Sequence, residues 1–417
     1  MPVFDLIIAG GGASGLMCAA RCAEKGLSCA VVEKNSRCGI KLSITGKGRC
    51  NVTNNSDNDN ILRNIPRNPR FMYSSLERFS SADTMSFFEG LGVPLKTERG
   101  NRVFPVSDKA SDIVDALVGE CRRRGVSFIN DEVLSVLTEN GRAEGLVCKG
   151  KTYKADNVVL ACGGRSYPKT GSDGSGYEIV KKLGHTVTEI TPSLCPIVCA
   201  EHEECADTMG LSLKNCTLSL YKEGRKKPLY SELGELIFTH FGLSGPLVLS
   251  ASAHIDDIKK YSYTVSIDLK PALDESTLDK RILRDFADLA NKEMSNALRK
   301  LLPQKIIPLV LKRSGIAPER RVNSVTKEER RALLETLKAL TFTVSRLRPI
   351  DEAIITRGGV SVREIDPSSM GSKLCDRLYI IGEMLDVDAY TGGYNLQIAF
   401  STANAAADSI NRLAEKI

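Results

Sequence analysis

The sequence predicts an α/β protein in which a Rossmann-like domain is interrupted by a β-rich and a helical insertion. Three observations predict this fold. A strand, a glycine turn, a helix and a second strand follow one another in residues 6–35. Two later segments, 155–185 and 376–410, again combine a strand, a glycine turn and a helix. Between them, strand-like alternation over 192–275 gives way to helical spacing over 276–340.

The first element is a β-α-β unit with a G-x-G-x-x-G motif. "VFDLIIA" predicts a buried parallel strand, "GLMCAARCAEKG" a helix that ends at Gly26, and "SCAVVE" a second strand. Gly10 allows the tight turn, Gly12 lets the backbone approach a pyrophosphate, and Gly15 lets helix and strand pack closely. Glu33 ends the second strand, where an acid accepts hydrogen bonds from ribose and disfavours a 2′-phosphate. The unit therefore predicts FAD or NAD rather than NADP at this site.

The later segments favour FAD. Residues 39–55, "GIKLSITGKGRCNVTNN", form a polar, glycine-rich stretch of the kind that wraps a cofactor. In 155–185 a buried strand ends at Gly163, and the loop "GSDGSG" that follows is assigned to FAD. In flavoproteins with two dinucleotide folds, a final strand and helix like those of 376–410 bring an acid to the ribityl–phosphate region and a helix N-terminus to the isoalloxazine ring.

Composition indicates an ordinary globular protein. Apolar residues make up 42% and charged residues 26% of the 417 residues, and no apolar run is long enough for a membrane span. The N-terminus lacks a signal-peptide pattern, so we expect a cytoplasmic protein. Thirteen cysteines include no C-x-x-C pair, and there are four histidines. We therefore expect reduced, mostly buried thiols and no metal site.

The insertion carries the basic charge of the chain. Residues 276–348 hold 17 Lys and Arg against 8 Asp and Glu, a net charge of +9. Thr277 and the Thr326–Glu329 pair are candidate helix caps. The basic segment could be an anion-binding surface or simply the solvated face of a helical subdomain. The candidate nucleic-acid contacts are Arg320, Arg321, Arg330 and Arg331.

Three blocks match a known family closely: "TGKGRCNVTN", "FTHFGLSGP" (238–246) and "GEMLDVDAYTGGYNLQIAFSTA". Over essentially its whole length the chain resembles the bacterial aminoacetone-oxidase-like or bile-acid-reductase-like FAD enzymes. This group includes a ribosomal RNA dihydrouridine synthase. Cys162 stands where a Thr is usual, and Ala389 where a Gly is common. We interpret Cys162 as a packing substitution, with a redox role as the alternative.

The resemblance implies a two-dinucleotide-fold flavoprotein with a divided FAD domain, formed by residues 1–191 and 358–417. The insertion comprises a β-rich part (192–275), a helical part (276–340) and a return strand (341–357). NAD(P)H would bind transiently as electron donor, since no second dinucleotide motif follows a strand. The residues expected to bind FAD are Gly10, Gly12, Ala13, Ser14, Gly15, Glu33, Lys34, Lys41, Ser43, Thr45, Gly46, Gly48, Arg49, Cys50, Asn51, Ala161, Cys162, Gly163, Gly382, Glu383, Asp386, Gly392, Gly393, Asn395, Leu396 and Gln397.

Reduction of a C=C bond would need a proton donor beside the flavin. Cys50, Tyr167, Tyr390 and Tyr394 lie in flavin-adjacent motifs, and Cys50 and Tyr394 are the chosen candidates. Neither a disulfide-reductase pair nor a recognisable oxidase histidine is present.

Three functions stay open. The first is reduction of uridine to dihydrouridine in large-subunit ribosomal RNA, favoured by the basic insertion. The second is reduction of a small apolar enone such as a bile-acid or steroid intermediate. The third is a non-catalytic flavoprotein that senses redox state, which NAD(P)H would not reduce at a useful rate.

Overall fold

The computed structural model describes residues 3–415, and these form two compact units. The first unit comprises residues up to Ser193 together with those from Pro349 onward, and the second comprises Leu194–Arg348. The subdivision of the insertion at residues 275 and 340 stays a prediction.

The N-terminal part of the first unit alternates strands and helices. Its strands are β1 (Val3–Ala9), β2 (Cys29–Glu33), β3 (Thr53–Asn54), β4 (Leu95–Glu98), β5 (Arg102–Pro105), β6 (Ser127–Asn130), β7 (Val133–Glu139), β8 (Arg142–Cys148), β9 (Thr152–Leu160) and β10 (Thr191–Ser193). Its helices are α1 (Ala13–Ala23), α2 (Ile40–Gly48), α3 (Asn58–Arg63), α4 (Tyr73–Arg78), α5 (Ser81–Gly90), α6 (Ala110–Arg123) and α7 (Ser175–Lys182).

The second unit follows in the chain. Its strands are β11 (Ile197–Cys199), β12 (Ser212–Lys222), β13 (Tyr230–Thr239), β14 (Gly242–Ser244), β15 (Tyr263–Asp268) and β16 (Leu340–Leu347). Its helices are α8 (His202–Asp207), α9 (Pro246–Ser252), α10 (Glu275–Asp288), α11 (Met294–Ala297), α12 (Ile307–Ser314) and α13 (Lys327–Lys338). The chain then re-enters the first unit with β17 (Ile355–Arg357), β18 (Leu378–Ile380) and α14 (Tyr394–Ala414).

The first unit is built on a seven-stranded sheet, in which six strands follow the order β6-β2-β1-β9-β8-β7 and the seventh, β18, pairs with β9. The pairs β6–β2, β2–β1 and β1–β9 are parallel, as buried apolar strands with helical connections require. The first half of β9 pairs antiparallel with β8, and its second half pairs parallel with β18. Helix α14 packs on α1 and is buried along most of its length. This confirms the predicted Rossmann-like α/β fold.

The second unit is a closed antiparallel barrel in the order β11-β14-β13-β12-β15-β16. Alternate residues of β15 are buried, the pattern of a strand with one face on a core. The helices α10–α13 lie along the chain between β15 and β16, and these two strands pair with each other.

The structure corrects two local predictions in the insertion. The N-cap of α10 is Asp274, whose side chain accepts a hydrogen bond from the Thr277 amide, so Thr277 does not cap the helix. The Thr326–Glu329 capping box is present as predicted. The single return strand predicted over 341–357 is two strands, β16 and β17, which belong to different units. Pro349, which has no N–H to donate to a ladder, lies between them.

Candidate functional site

An open cleft lies in the first unit at the carboxyl ends of β1, β2 and β9. Its empty space, counted together with the open solvent at its mouth, is about 1310 Å³. Rossmann-type sheets bind ligands at this edge.

The three motif glycines have three different surroundings. Gly10 has a φ of +104°, and a Cβ there would lie 2.5 Å from the carbonyl oxygen of Ala161 on the neighbouring strand. A Cβ at Gly15 would lie 2.0 Å from the Gly10 carbonyl oxygen. A Cβ at Gly12 would meet no described atom within 4 Å, because Gly12 borders the cleft. Gly10 and Gly15 are therefore required by the protein's own packing, whereas Gly12 leaves open space at the site.

The N-terminus of α1 is open to an anion. Gly12 is the N-cap residue, no described side chain caps the helix, and its first turn contains no acid. The residues of this first turn, Ala13 and Ser14, line the cleft. Uncapped amides and the helix dipole at such an end favour a phosphate group.

Glu33 is fixed beside this helix end. Its Oε2 accepts a hydrogen bond from the Gly11 amide at 2.8 Å. Its Oε1 accepts from the backbone and side-chain nitrogens of Asn35, at 2.9 and 2.8 Å. Asp131 and Glu132 also line this part of the cleft. Lys34 and Arg37 line the cleft as well, and the expectation that Glu33 disfavours a 2′-phosphate stays a prediction.

The loop after β9 closes one side of the cleft. Lys34 forms an ion pair with Asp173, with 2.6 Å between Nζ and Oδ2. The side-chain amide of Asn35 donates to the Thr170 carbonyl at 3.1 Å. The "GSDGSG" loop therefore contacts the end of β2, next to Glu33.

A second ion pair links α2 to the segment after β18. Lys41 Nζ lies 2.6 Å from Glu383 Oε2 and 2.8 Å from Ser166 Oγ. Glu383 Oε1 accepts from the Thr356 amide at 3.0 Å. Lys41 and Glu383 both line the cleft and are mostly shielded from solvent. They can offer a positive group and an acceptor to a bound molecule.

Within α2, the chain turns into left-handed conformations at Gly46 and Lys47, followed by Gly48 and Cys50. Such a run is costly for non-glycine residues and is typical of functional loops. Arg49 does not face the cleft. Its guanidinium pairs with Glu98 and Asp108 and lies 4.1 Å from the centre of the Phe104 ring.

The structure does not support the two chosen proton donors. Cys50 is fully buried, and burial raises the pKa of its thiol to about 12. Tyr394 is 7% exposed and packs in the core of the first unit. Neither side chain lines the cleft, so direct proton transfer from either has no geometric support. Tyr167 and Tyr390 stay candidates from sequence alone.

Two of the family blocks, "TGKGRCNVTN" and "GEMLDVDAYTGGYNLQIAFSTA", pack against each other through residues that do not line the cleft. Gln397 is fully buried, and its Oε1 accepts from the hydroxyls of Thr53 and Thr84 at 2.6 and 2.8 Å. Its Nε2 donates to the Phe79 carbonyl at 3.0 Å and to Ser401 Oγ at 2.9 Å. The side-chain amide of Gln397 is thus satisfied by protein groups, and a contact of Gln397 with FAD stays a prediction.

Two glycines also take part in this contact. We call the whole cluster the interlock; its residues are Thr53, Asn54, Thr84, Gly392, Gly393 and Gln397. A Cβ at Gly393, where φ is +96°, would lie 2.3 Å from the Thr53 carbonyl oxygen. Asn54 Nδ2 donates to the Gly392 carbonyl at 3.0 Å. "TGKGRCNVTN" and "GGYNLQ" therefore meet backbone to backbone.

Two acids follow β18 in the block "LDVDAY". Asp386 pairs with Arg67 and does not line the cleft. Asp388, which the sequence analysis did not select, is 1% exposed, and its Oδ2 accepts from Ser193 Oγ at 2.9 Å. Its Oδ1 has no hydrogen-bond partner among residues 3–415. Burial of this kind leaves no signal in a single sequence.

The predicted FAD residues thus divide in two. Those that line the cleft are Gly10, Gly12, Ala13, Ser14, Glu33, Lys34, Lys41, Thr45, Ala161, Cys162, Gly163, Glu383, Asn395 and Leu396. Those that do not are Gly15, Ser43, Gly46, Gly48, Arg49, Cys50, Asn51, Gly382, Asp386, Gly392, Gly393 and Gln397. Lining residues that the sequence analysis did not select include Gly11, Asn35, Arg37, Gly39, Asp131, Glu132, Val133, Ile354 and Ile355. That these residues bind FAD stays a prediction.

Three of the four candidate nucleic-acid arginines are engaged in ion pairs. Arg320 pairs with Glu329 at 2.8 Å, Arg330 with Asp279 at 2.9 Å, and Arg331 with Glu335 at 2.9 Å. Other basic residues of the second unit are exposed and have no carboxylate in ion-pair range among the described residues. They include Lys292, Arg299 and Arg321. Lys292 and Arg321 lie on adjacent antiparallel segments, joined by the hydrogen bond from the Val322 amide to the Lys292 carbonyl.

Within residues 3–415, no helix has the length and apolar character that a membrane crossing needs. The same residues include no group of three or more His, Cys, Asp or Glu side chains that could hold a metal ion.

A family model described as the HI0933-like protein Rossmann domain matches residues 4–409. A 3-dehydro-bile acid delta(4,6)-reductase from Clostridium scindens is 30% identical over 403 residues, covering 96% of this chain and 97% of that protein. A ribosomal RNA dihydrouridine synthase from Escherichia coli is 30% identical over 414 residues, covering 98% of each chain. These matches confirm the family resemblance inferred from the three sequence blocks.

Solved structures show a similar fold at low sequence identity. A 3-ketosteroid delta1-dehydrogenase from Sterolibacterium denitrificans superposes with a TM-score of 0.55 at 14% identity, covering 99% of this chain and all of that one. A flavocytochrome c3 fumarate reductase superposes with a TM-score of 0.51 at 15% identity, covering 99% and 78% of the two chains.

Proposed function

The chain belongs to the HI0933-like Rossmann-domain family, and from this premise we propose that it is an FAD-dependent, NAD(P)H-linked reductase of a C=C bond conjugated to a carbonyl group. The specific substrate that we propose is a uridine of large-subunit ribosomal RNA, reduced at its 5,6 bond. That substrate would place the enzyme in the cytoplasm, where ribosomes are assembled.

The observation that carries the cofactor assignment is the open N-terminus of α1 beside Glu33. Gly12 leaves space for a pyrophosphate at uncapped helix amides, and Glu33 can accept hydrogen bonds from a ribose. FAD, when bound, supplies the hydride.

The proposed reaction is common to both named relatives. In uracil the 5,6 bond is conjugated to the C4 carbonyl, and in a 3-oxo steroid a 4,6-diene is conjugated to the C3 carbonyl. A hydride adds to the carbon far from the carbonyl, at C6 of uracil, and a proton adds to the adjacent carbon, C5. NAD(P)H provides the hydride overall, and solvent provides the proton.

Exposed basic residues in the second unit support the RNA substrate. Lys292, Arg299 and Arg321 have no carboxylate in ion-pair range within the described chain, so their charge is available to phosphates. The target base would have to be unstacked, at a cost of a few kcal/mol that phosphate contacts can offset. Arg320 and Arg330 form ion pairs with carboxylates of the protein, so their charge is less available to phosphates.

The test is nucleoside mass spectrometry of ribosomal RNA from cells without the gene, complemented with variants. We expect wild-type protein to restore a missing dihydrouridine and the Lys292→Glu/Arg321→Glu double variant to fail. A matched control, Lys25→Glu/Lys182→Glu, changes the net charge equally at exposed positions of the first unit and should restore it. Unchanged dihydrouridine after gene deletion would refute the RNA assignment.

A second candidate substrate is a small apolar enone. It is favoured by the bile-acid reductase relative, which is as similar as the RNA-modifying one. Ion pairs such as Arg313–Glu204 also reduce the charge available on the second unit. This substrate predicts activity that is insensitive to salt and to the double variant, with an apolar ligand that perturbs the flavin spectrum. Failure of NAD(P)H to reduce the bound flavin would instead favour the redox-sensing alternative.

A further inference from the structure

The buried acid Asp388 is not used by the proposed chemistry as described so far. Its carboxyl is 1% exposed, one oxygen accepts from Ser193, and the other has no partner in the described chain. A carboxylate held in this way is poorly solvated, because a single hydrogen bond replaces the several it would have in water.

Asp388 is linked to the wall of the cleft by two neighbours, Ala389 and Ser193. Asn395, which lines the cleft, bonds the backbone of Ala389: its Oδ1 accepts from the amide at 2.9 Å and its Nδ2 donates to the carbonyl at 2.8 Å. Ser193 on β10 is the register partner of Ile355 on β17, which also lines the cleft. Added charge in the cleft would act on the Asp388 carboxyl through the protein interior, where such interactions are only weakly screened.

Burial has the largest effect on the Asp388 carboxyl. Burial raises the pKa of its carboxyl to about 6, the Ser193 hydrogen bond and the guanidinium groups of Arg357 and Arg67 lower the pKa, and Asp386 raises it. Both protonation states are therefore accessible near neutral pH. A negative charge that arrives in the cleft would favour the protonated state.

We propose that Asp388 holds one proton, taken from solvent, between hydride transfer from NAD(P)H and hydride transfer to the substrate. Its carboxylate takes up one proton from solvent when hydride transfer from NAD(P)H adds negative charge to the cleft. It returns that proton to solvent when the hydride passes to the substrate and the charge leaves, and the substrate carbon takes its own proton from solvent. Per turnover, one hydride and one proton are consumed, as the saturated product requires. Asp388 acts through charge and is a positioning residue. The inference rests on the proposed function.

The experiment measures the two-electron midpoint potential of the flavin against pH in the FAD-loaded protein. Above pH 6, the wild type should show an additional slope of about 30 mV per pH unit, which is one proton per two electrons. Asp388→Asn, which is nearly isosteric, should lose this additional slope. Ser193→Ala removes a hydrogen bond that favours the carboxylate, so the steep range should persist but shift to higher pH.

Infrared difference spectra between the reduced and oxidised protein provide a second readout. A C=O band of a protonated carboxyl group should appear on reduction in the wild type and be absent in Asp388→Asn. Equal slopes and equal bands in the wild type and Asp388→Asn, with flavin bound in both, would overturn the inference. A wild-type protein that fails to retain FAD would instead overturn the proposed function.

Discussion

The cleft and the interlock are built from the same kinds of sequence motif but use them in opposite ways. In the cleft, the amides of the first turn of α1 face open space without a side-chain cap, beside Gly12. In the interlock, all the hydrogen-bonding capacity of Gln397 is used by protein groups. A glycine or a side-chain amide in a motif can therefore either bind a ligand or stabilise the fold. Its surroundings in the structure show which of the two it does.

The largest difference should appear between two glycines. Gly393→Ala places a Cβ against the Thr53 backbone at a positive φ, so we expect the free energy of unfolding to fall by about 4 kcal/mol. Gly12→Val should change the stability of the FAD-free protein by only about 0.5 kcal/mol, since its side chain would enter open space. Urea denaturation of the FAD-free proteins measures both.

FAD binding gives a second measurement that separates the two glycines. Gly12→Val should weaken FAD binding more than 100-fold (about 3 kcal/mol) by occupying the pyrophosphate path, as measured by flavin fluorescence. If Gly12→Val instead destabilised the FAD-free fold as strongly as Gly393→Ala, the distinction between the two regions would fail.

A change at the centre of the interlock should have the next largest effect. Gln397→Leu keeps the approximate volume but removes four buried hydrogen bonds, those with Thr53, Thr84, the Phe79 carbonyl and Ser401. We expect a loss of about 3 kcal/mol in unfolding free energy, with an unchanged FAD-to-protein ratio in the folded fraction. A normally stable variant with reduced FAD content would show that Gln397 serves the cofactor after all.

Glu33→Ala tests the cleft from its ribose side. We expect FAD binding to weaken roughly 10- to 100-fold, or about 1–3 kcal/mol, because a half-buried acceptor for the ribose hydroxyls is removed. The FAD-free protein should lose only about 1 kcal/mol, since the Gly11 and Asn35 amides can reach solvent in the open cleft. Titration with FAD and denaturation of the same sample separate the two effects, and unchanged affinity would contradict the assignment.

The smallest effect should come from the edge of the cleft. The Lys34–Asp173 ion pair is partly exposed, so Asp173→Asn should cost about 0.5 kcal/mol of stability. Its loss should also speed FAD dissociation a few-fold, because it holds the loop that borders the site. Glu178→Gln, which breaks the exposed Lys181–Glu178 pair on α7, is the matched control and should leave dissociation unchanged.

Sequence reasoning succeeded where the determinants are local. The spacing of Gly10, Gly12, Gly15 and Glu33 defines a β-α-β unit because all four residues lie within one supersecondary element. The Thr326–Glu329 capping box is similarly readable from a four-residue pattern.

Sequence reasoning failed where the hydrogen-bond partner of a residue lies far away along the chain. Gln397 bonds Thr53, 344 residues away, and Arg49 bonds Asp108, 59 residues away. No spacing rule connects such pairs. Asp131 reaches the cleft because β6 pairs with β2, and strand order is a property of the assembled sheet.

The split of the first unit has a consequence for biosynthesis. Strand β18 pairs with β9, and α14 packs on α1, yet both elements are made long after their partners. At about 5–20 residues per second, the ribosome needs roughly 13 to 50 s to proceed from the end of β9 to the end of α14. During this interval the barrel can fold on the nascent chain, whereas the apolar side of α1 and the edge of β9 remain uncovered. We therefore expect chaperones to engage the first unit during synthesis, and the cofactor to enter only after translation has passed α14.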